Sequence, residues 1–166
     1  MASKKILTPW INVPKNINTY EGFTYLITNL ITNQKYIGRK YLISIRKKRI
    51  LGKKRKLVER KESDWQTYKS SSKDVQKAIK QFGINNFSFK ILKCYITKGE
   101  TNFAETELLF KKEVLSKKLK INKTLEIFEY YNGNILSRYF RNKSTYPEDY
   151  KIKYDKYILK ELKKII

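Results

Sequence analysis

Residues 22–38 read Gly-Phe-Thr-Tyr-Leu-Ile-Thr-Asn-Leu-Ile-Thr-Asn-Gln-Lys-Tyr-Ile-Gly and decide the fold. Residues 23–28 are rich in β-branched and aromatic side chains, which favour a strand. Residues 29–34 supply turn-forming side chains, and an extended pattern restarts at Lys35. The stretch therefore predicts a β-hairpin.

The register of this hairpin determines whether two phenols meet. Pairing of Thr28 with Asn33 across the turn predicts that Tyr25 lies opposite Tyr36, on the same face of the sheet. Two phenol oxygens on a rigid strand pair make a candidate site. The chain has thirteen tyrosines, however, so an alternative is that both residues simply cover the sheet.

Two helices and a third strand are predicted after the hairpin. Ser71 or Ser72 can cap a helix with apolar residues at i, i+3, i+4 and i+7, which Gly83 ends. Alternation over residues 87–95 predicts a third strand. An apolar stripe predicts a second helix over roughly residues 102–118.

The chain is expected to form one α/β domain with short extensions. Residues 1–20 indicate an irregular lead-in, residues 21–133 the domain, and residues 134–166 an arm with a short helix at 154–166. The domain would contain a small three-stranded antiparallel sheet flanked by helices. A basic insertion, residues 39–61, would follow the second strand.

The charge of the chain indicates the class of partner. Thirty-eight Lys and Arg against fifteen Asp and Glu give a formal net charge of +23. Binding of a polyanion reduces this self-repulsion, and the release of counterions from phosphates favours the contact. Nucleic acid is therefore the expected partner. An anionic membrane surface is the alternative, but no apolar run reaches the ~20 residues that span a bilayer. The first residues lack the apolar stretch of a signal peptide, so an intracellular, cytoplasmic location is expected.

The densest positive charge lies in residues 39–61, where Glu59 is the only acid. Contact with phosphates is the favoured interpretation of this segment, and a solvated, flexible insertion is the alternative. The candidate DNA-contacting side chains are Arg46, Lys47, Lys48, Arg49, Lys53, Lys54 and Arg55.

The chain contains no histidine and a single cysteine, Cys94, which lies in an apolar run and is expected to pack. Histidine-dependent nucleases and the common zinc hydrolase sites are therefore excluded. A general base or metal ligand in this chain must be a carboxylate, a tyrosine, a lysine or a water.

Taken together, these features resemble the GIY-YIG nuclease family, in particular its small phage-type homing endonucleases. The resemblance rests on Phe23-Thr24-Tyr25 in the place of the first triplet and on an intact Tyr36-Ile37-Gly38 as the second. It covers about residues 21–133, and its further matches are Ala78-Ile79-Lys80-Gln81-Phe82-Gly83, Asn86-Phe87, Ile91-Leu92, Glu105 and Tyr131-Asn132. It implies an endonuclease that cleaves double-stranded DNA with Mg²⁺ (or Mn²⁺). The enzyme would act as a monomer or transient dimer on DNA, in the host cytoplasm if a phage encodes it.

The resemblance also implies catalytic roles. Tyr25 would be the general base, helped by Tyr36, if nearby Arg and Lys lower its pKa from the usual value of about 10. Arg39, directly after the second triplet, would hold the scissile phosphate, and Arg46 is the alternative. Tyr68 would take the auxiliary position for which family members use a His or Tyr.

Glu105 is the metal ligand that the resemblance implies, since one carboxylate and several waters suit Mg²⁺. The alternative is a capping box, with Asn102 as N-cap and Glu105 as the third helical residue. Asn132 would support the site on the DNA side, or it is an ordinary asparagine of a turn over residues 130–133. A non-enzymatic nucleic-acid-binding protein remains the rival function, which explains the charge but not the two triplets.

Overall fold

The computed structural model describes residues 7–52 and 54–135. Three single 3₁₀ turns accompany the strands and helices within this part of the chain. The strands and helices are β1 (Trp10–Ile11), β2 (Gly22–Asn29), β3 (Lys35–Tyr41), β4 (Ile43–Lys48), β5 (Leu57–Glu62), α1 (Lys73–Phe82), β6 (Phe87–Tyr95), α2 (Lys98–Lys111), β7 (Lys118–Lys120) and β8 (Glu126–Phe128). The predicted α/β class is confirmed.

The central sheet has the strand order β1-β6-β2-β3. β2 and β3 form the predicted antiparallel hairpin, and β2 also pairs antiparallel with β6. β1 adds a short parallel strand at the edge of β6. The predicted three-stranded sheet is therefore corrected to four strands. The cause is Trp10, whose ring packs edge-on against Phe23 and Phe89 with centroids 5.3 and 5.7 Å away. Its indole nitrogen also donates to the carbonyl of Trp65 at 2.9 Å.

The β2–β3 register differs from the predicted one by two residues. Tyr25 pairs with Gly38, and Ile27 pairs with Tyr36. The connection is longer than expected because Asn33 adopts a left-handed conformation at φ 59° and donates its N–H to the Asn29 carbonyl. A shift of two residues preserves the face of each side chain, so both tyrosines still lie on one side of the sheet.

The two helices were predicted with unequal accuracy. α1 is confirmed, with Ser72 accepting from the Val75 N–H at its start and Gly83 ending it at φ 81°. The predicted range 102–118 for the second helix is wrong, because α2 begins at Lys98 behind a capping box formed by Thr97 and Glu100. None of the helices in residues 7–52 and 54–135 is long and apolar enough to cross a membrane.

Much of the basic segment forms strands. β4 and β5 pair antiparallel over six residue pairs, from Ile43 opposite Glu62 to Lys48 opposite Leu57. This pair, called the basic hairpin below, forms a sheet of its own, and the first residues of the predicted insertion belong to β3. Twelve residues of the predicted insertion and its end, 43–48 and 57–62, therefore form paired strands. Lys53 and the helix predicted at 154–166 lie outside the described residues.

The predicted turn at 130–133 is also wrong. The Lys35 N–H donates to Glu129 O at 2.8 Å and the Tyr131 N–H donates to Lys35 O at 2.7 Å, so this segment extends the sheet beyond β3. Tyr131 is buried, and its hydroxyl accepts from Asn29 Nδ2 at 3.0 Å. The segment runs extended beside β3 because its side chains complete the core.

Candidate active site

The hairpin of β2 and β3 brings the two predicted tyrosines together. The Tyr25 and Tyr36 ring centroids lie 6.1 Å apart, and the Tyr25 phenol crosses over Gly38 on the neighbouring strand. Trp10 packs edge-on against Tyr25 from the other side, with centroids 5.4 Å apart, so Tyr25 is only 1% exposed. The phenol is thus held between two strands and an indole.

A register shift next to Tyr25 helps to direct this side chain. Thr24 pairs with Lys93 of β6, whereas Tyr25 pairs with Ile91, so Leu92 is an extra residue at this point. Such a bulge bends the strand and changes the direction of neighbouring side chains. Nothing in the alternating pattern of residues 87–95 signals it.

Tyr68 joins the pair as a third phenol. Its ring centroid lies 6.2 Å from that of Tyr25, and Lys40 Nζ lies 3.9 Å from the centre of the Tyr68 ring. Lys40 also contacts Asp64 Oδ1 at 2.5 Å and is only 15% exposed. The structure therefore brings the predicted auxiliary tyrosine to the site, together with a lysine that was not predicted.

The pKa values of the phenols move in the direction opposite to the expected one. Burial raises the pKa of Tyr25 well above its ordinary value, and the neighbouring Tyr36 and Tyr68 raise it further. Burial also raises the pKa of Tyr36, where Ser70, Ser71 and Arg39 act in the lowering direction without reversing the shift. The expectation that nearby cations lower these values is thus wrong, because desolvation outweighs the charge of the surrounding cations.

Ser70 is a second residue that the sequence did not single out. It is buried, its side chain acts to lower the pKa of Tyr25 and Tyr36 against the effect of burial, and its backbone lies at φ 150°. Its Oγ accepts from the Ser72 N–H at 3.0 Å, which ties the phenols to the start of α1. A serine just before a helix is typical of a helix cap. The sequence therefore gives no signal that Ser70 lies beside the two phenols.

Arg39 and Glu105 approach the site from the other face of the sheet. They form a direct ion pair in which the Arg39 side chain is 40% exposed and the Glu105 side chain 13%. Arg39 alternates with Tyr36 and Gly38 along β3, so it points towards α2 rather than towards the phenols. Tyr25 and Tyr36 therefore reach the edge of β3 from one face of the sheet, and Arg39 and Glu105 reach it from the other.

The packing of α2 explains the position of Glu105. Thr101 and Ala104 are buried against the sheet, and a Cβ at Gly22 would lie 3.0 Å from Thr101 Oγ1, so the helix passes close to β2. Glu105 lies next to this stripe, in the middle of α2. The capping-box alternative for Glu105 is therefore wrong, since Thr97 caps the helix.

One groove of about 980 Å³ collects these groups. Tyr25, Tyr36, Arg39 and Glu105 all line it, and Arg46 of the basic hairpin lines its far side. Other cations of the lining were not predicted as site residues: Lys40, Lys61 and Lys98. Lys98 lies in the first turn of α2, seven residues before Glu105, which places both on the same helical face.

The predicted DNA contacts divide into two groups. Arg46, Lys47, Lys48, Arg49, Lys54 and Arg55 are exposed on the basic hairpin and its connecting loop. Asn132 is only 6% exposed, and its amide both accepts from Ile37 N at 3.0 Å and donates to Ile37 O at 2.8 Å. The predicted DNA contact of Asn132 is thereby corrected, because this side chain supports β3 from inside the protein.

The residues of the groove fit a divalent cation with few protein ligands. Residues 7–52 and 54–135 contain no group of three or more His, Cys, Asp or Glu side chains that could enclose a metal ion. Mg²⁺ commonly binds through one or two carboxylates, several waters and the phosphate of its substrate. Glu105, a largely shielded carboxylate at the wall of an open groove, suits that mode.

The fold and site define a nuclease domain of the GIY-YIG class. The family described as "Putative endonuclease segE, GIY-YIG domain" matches residues 8–135, and the chain belongs to this family. A protein of Enterobacteria phage T4 that carries the name segE is 33% identical over 95 residues, which is 57% of this chain. The match spans 37% of that relative's length. None of the solved structures matches significantly.

Proposed function

We propose that the chain is an endonuclease that hydrolyses phosphodiester bonds of double-stranded DNA with the help of Mg²⁺ (or Mn²⁺). One observation supports this most strongly: Tyr25, Tyr36, Arg39 and Glu105 converge on a single groove beside the basic hairpin. A protein that only binds nucleic acid needs the positive charge, but it does not need a buried phenol packed beside a second, partly buried phenol, together with a shielded carboxylate.

In the proposed reaction a water attacks phosphorus, its proton passes to Tyr25 Oη, and the bond to the leaving oxygen breaks. The raised pKa of Tyr25 makes its phenolate a strong base that is scarce at neutral pH. After transfer the proton stays on Tyr25 as a neutral phenol, beside Tyr68, whose ring centroid lies 6.2 Å away. When bound at Glu105, a divalent cation would supply positive charge that stabilises the phosphate and the leaving oxygen.

Arg39 is the proposed contact to the scissile phosphate. Its guanidinium already faces Glu105 at the groove, and charge-assisted hydrogen bonds from arginine to phosphate are strong and directional. Arg46 lines the same groove from β4 and is the alternative for this role. A cation at the carboxylate would release Arg39 from its ion pair towards the substrate.

The setting proposed for this activity is a phage or mobile genetic element, with action as a homing endonuclease in the host cytoplasm. The phage origin of the segE relative supports this setting. One groove can cut one strand at a time. A double-strand break would therefore require a transient dimer on the DNA or two successive events.

Nicking of supercoiled plasmid in Mg²⁺ or Mn²⁺ tests the proposal. The wild type and Glu107→Gln should convert the plasmid to open circles, whereas Glu105→Gln should be slower by roughly 100-fold or more. Glu107 is a matched control on α2, because it pairs with Lys111 at 2.6 Å and lies outside the groove lining. Tight DNA binding without nicking by the wild type would favour the rival, a non-enzymatic nucleic-acid-binding protein.

A further inference from the structure

The basic hairpin is a feature that the proposed catalytic site leaves unexplained. In the described part of the chain no other strand pairs with β4 or β5, and most of their side chains are exposed. A two-stranded hairpin without a packed face is only marginally stable in water. Exposed apolar side chains such as Ile45, Leu57 and Val58 are a further unfavourable contribution to its stability in water. These properties indicate that the basic hairpin binds a partner molecule.

The base of the hairpin is firmly fixed beside the groove. Buried Leu42 donates its N–H to Glu21 O at 2.9 Å and accepts from Ser63 N at 2.8 Å. Ser63 Oγ also donates to Tyr41 O at 2.7 Å. One arm therefore begins directly after the strand that carries Arg39, and the other returns just before Tyr68. Substrate in the groove must lie next to the hairpin.

The two faces of the hairpin differ in their surroundings. On one face, Arg60 pairs with Glu21 and Glu62 accepts from Trp65 Nε1 at 3.0 Å, so this face is turned towards the body of the domain. The opposite face, called the outer face below, consists of Ser44, Arg46, Lys48, Leu57, Glu59 and Lys61. Within the described chain no acidic side chain pairs with Arg46 or Lys61, so the outer face carries uncompensated positive charge.

We infer that the basic hairpin enters the major groove of DNA and reads bases with its outer face; this rests on the proposed function. The major groove, about 12 Å wide, admits a two-stranded β-ribbon. Six residue pairs span about 20 Å, which equals about six base-pair steps along the duplex. The last pair, Lys48 opposite Leu57, would then lie about four to six base pairs from the cut.

The chemistry of this last pair suits base edges. A lysine can donate to the O6 and N7 acceptors of guanine, and an apolar side chain can contact the methyl group of thymine. Leu57 is 52% exposed and lies directly opposite Lys48. Glu59, which lies 2.8 Å from Lys48 Nζ, orients the lysine on the same face. Sequence preference would therefore reside within the nuclease domain itself.

A comparison of Lys48→Ala with Lys47→Ala tests this inference. The two residues are adjacent on β4, both are exposed, and they lie on opposite faces, so each variant removes one positive charge. The variants and the wild type are incubated with a duplex library randomised over ten base pairs on each side of a fixed centre, and the cut ends are sequenced. Affinity of each protein in the Glu105→Gln background is measured against salt concentration.

The wild type should show biased base frequencies on one side of the cut, about four to six base pairs away. Lys48→Ala should flatten that bias by roughly five-fold or more, whereas Lys47→Ala should leave it intact. Leu57→Ala should reduce any preference for thymine at the same place. Equal losses of affinity in both lysine variants, with unchanged base frequencies, would overturn the inference in favour of a phosphate clamp. A wild type that binds but never cuts would refute the proposed function. The inference would still be tested in that case, because protection of guanine N7 in the Glu105→Gln complex reports major-groove contact without cleavage.

Discussion

The phenol of Tyr25 lies so close to Gly38 that the neighbouring strand has no room for a side chain there. A Cβ at Gly38 would lie 2.5 Å from Tyr25 Oη, 2.6 Å from Tyr25 Cζ and 2.9 Å from Tyr36 Cε1. These separations are below any ordinary contact between heavy atoms. The glycine of the Tyr-Ile-Gly triplet is therefore required by the tyrosine of the other strand, and the two triplets form one packing unit.

Gly38→Ala should consequently displace Tyr25 and slow plasmid nicking by about 100-fold, since displacement of a reacting group by about 1 Å costs that much. Affinity for DNA should change little, because the basic hairpin is untouched. Gly99→Ala is the control: Gly99 is in α2, and its added methyl group would meet only Thr97 Oγ1, at 3.9 Å. That change should leave nicking unaffected. Normal nicking by Gly38→Ala would contradict a catalytic role for the phenol position.

Alkaline pH should destabilise the fold, and Tyr25 should account for part of the loss. Burial raises the pKa of Tyr25, Tyr36, Tyr130 and Tyr131 in the folded chain. The unfolded chain therefore releases these protons first, near pH 10, and the free energy of unfolding falls as pH rises further. Each such group contributes a slope of about 1.4 kcal/mol per pH unit between its two pKa values. Urea unfolding of Tyr25→Phe from pH 8 to 11 should show a shallower decline than the wild type, and identical slopes would show that this phenol does not contribute.

Removal of the Asn132 amide should destabilise the edge of β3. Asn132 satisfies both the N–H and the carbonyl of buried Ile37, so Asn132→Ala leaves two backbone groups without their partner. The expected loss in the free energy of unfolding is about 2 kcal/mol. Exposed Asn134 provides the control, and Asn134→Ala should stay within about 0.5 kcal/mol of the wild type. Equal urea midpoints for the two variants would refute the supporting role of Asn132.

Arg39→Ala should separate metal binding from catalysis. The guanidinium pairs with Glu105 and competes with a cation for the same carboxylate. Without it, Mn²⁺ affinity measured by calorimetry should rise by about two- to five-fold, the range expected for loss of a partly exposed ion pair. Nicking should nevertheless fall by about 100-fold, because a donor to the scissile phosphate is lost. Weaker Mn²⁺ binding by the variant would show that Arg39 supports the metal site instead of competing with it.

The parts of the fold that were predicted depend on local sequence signals. α1 has a serine cap, four regularly spaced apolar residues and Gly83 in a left-handed conformation, so each local preference agrees with the structure. β6 follows its alternating pattern from Phe87 to Ile91, and the extra residue Leu92 then interrupts it. For α2 the capping signal was present at Thr97 and Glu100, but Gly99 weakens that turn, and the same spacing recurs at Asn102 and Glu105.

The parts that were missed depend on distant contacts. β1 exists because Trp10 packs on β2 and β6, and two residues carry no periodicity of their own. Residues 130–133 have the composition of a turn, but Lys35 and Ile37 bind them as an extended segment. The direction of the Tyr25 pKa shift depends on burial, which the dense cations in the sequence do not indicate.

The hydrogen bonds between Asn132 and Ile37 also mean that β3 gains its last partner late in synthesis of the chain. When the ribosome has added Glu105, Tyr25, Tyr36 and Arg39 are already part of the chain. Asn132, which binds the edge of β3, has not yet been synthesised. Until it arrives, Ile37 has an unpaired N–H and carbonyl next to the second triplet. A chain truncated after α2 would therefore contain Tyr25, Tyr36, Arg39 and Glu105, but β3, which carries Tyr36 and Arg39, would lack its outer support.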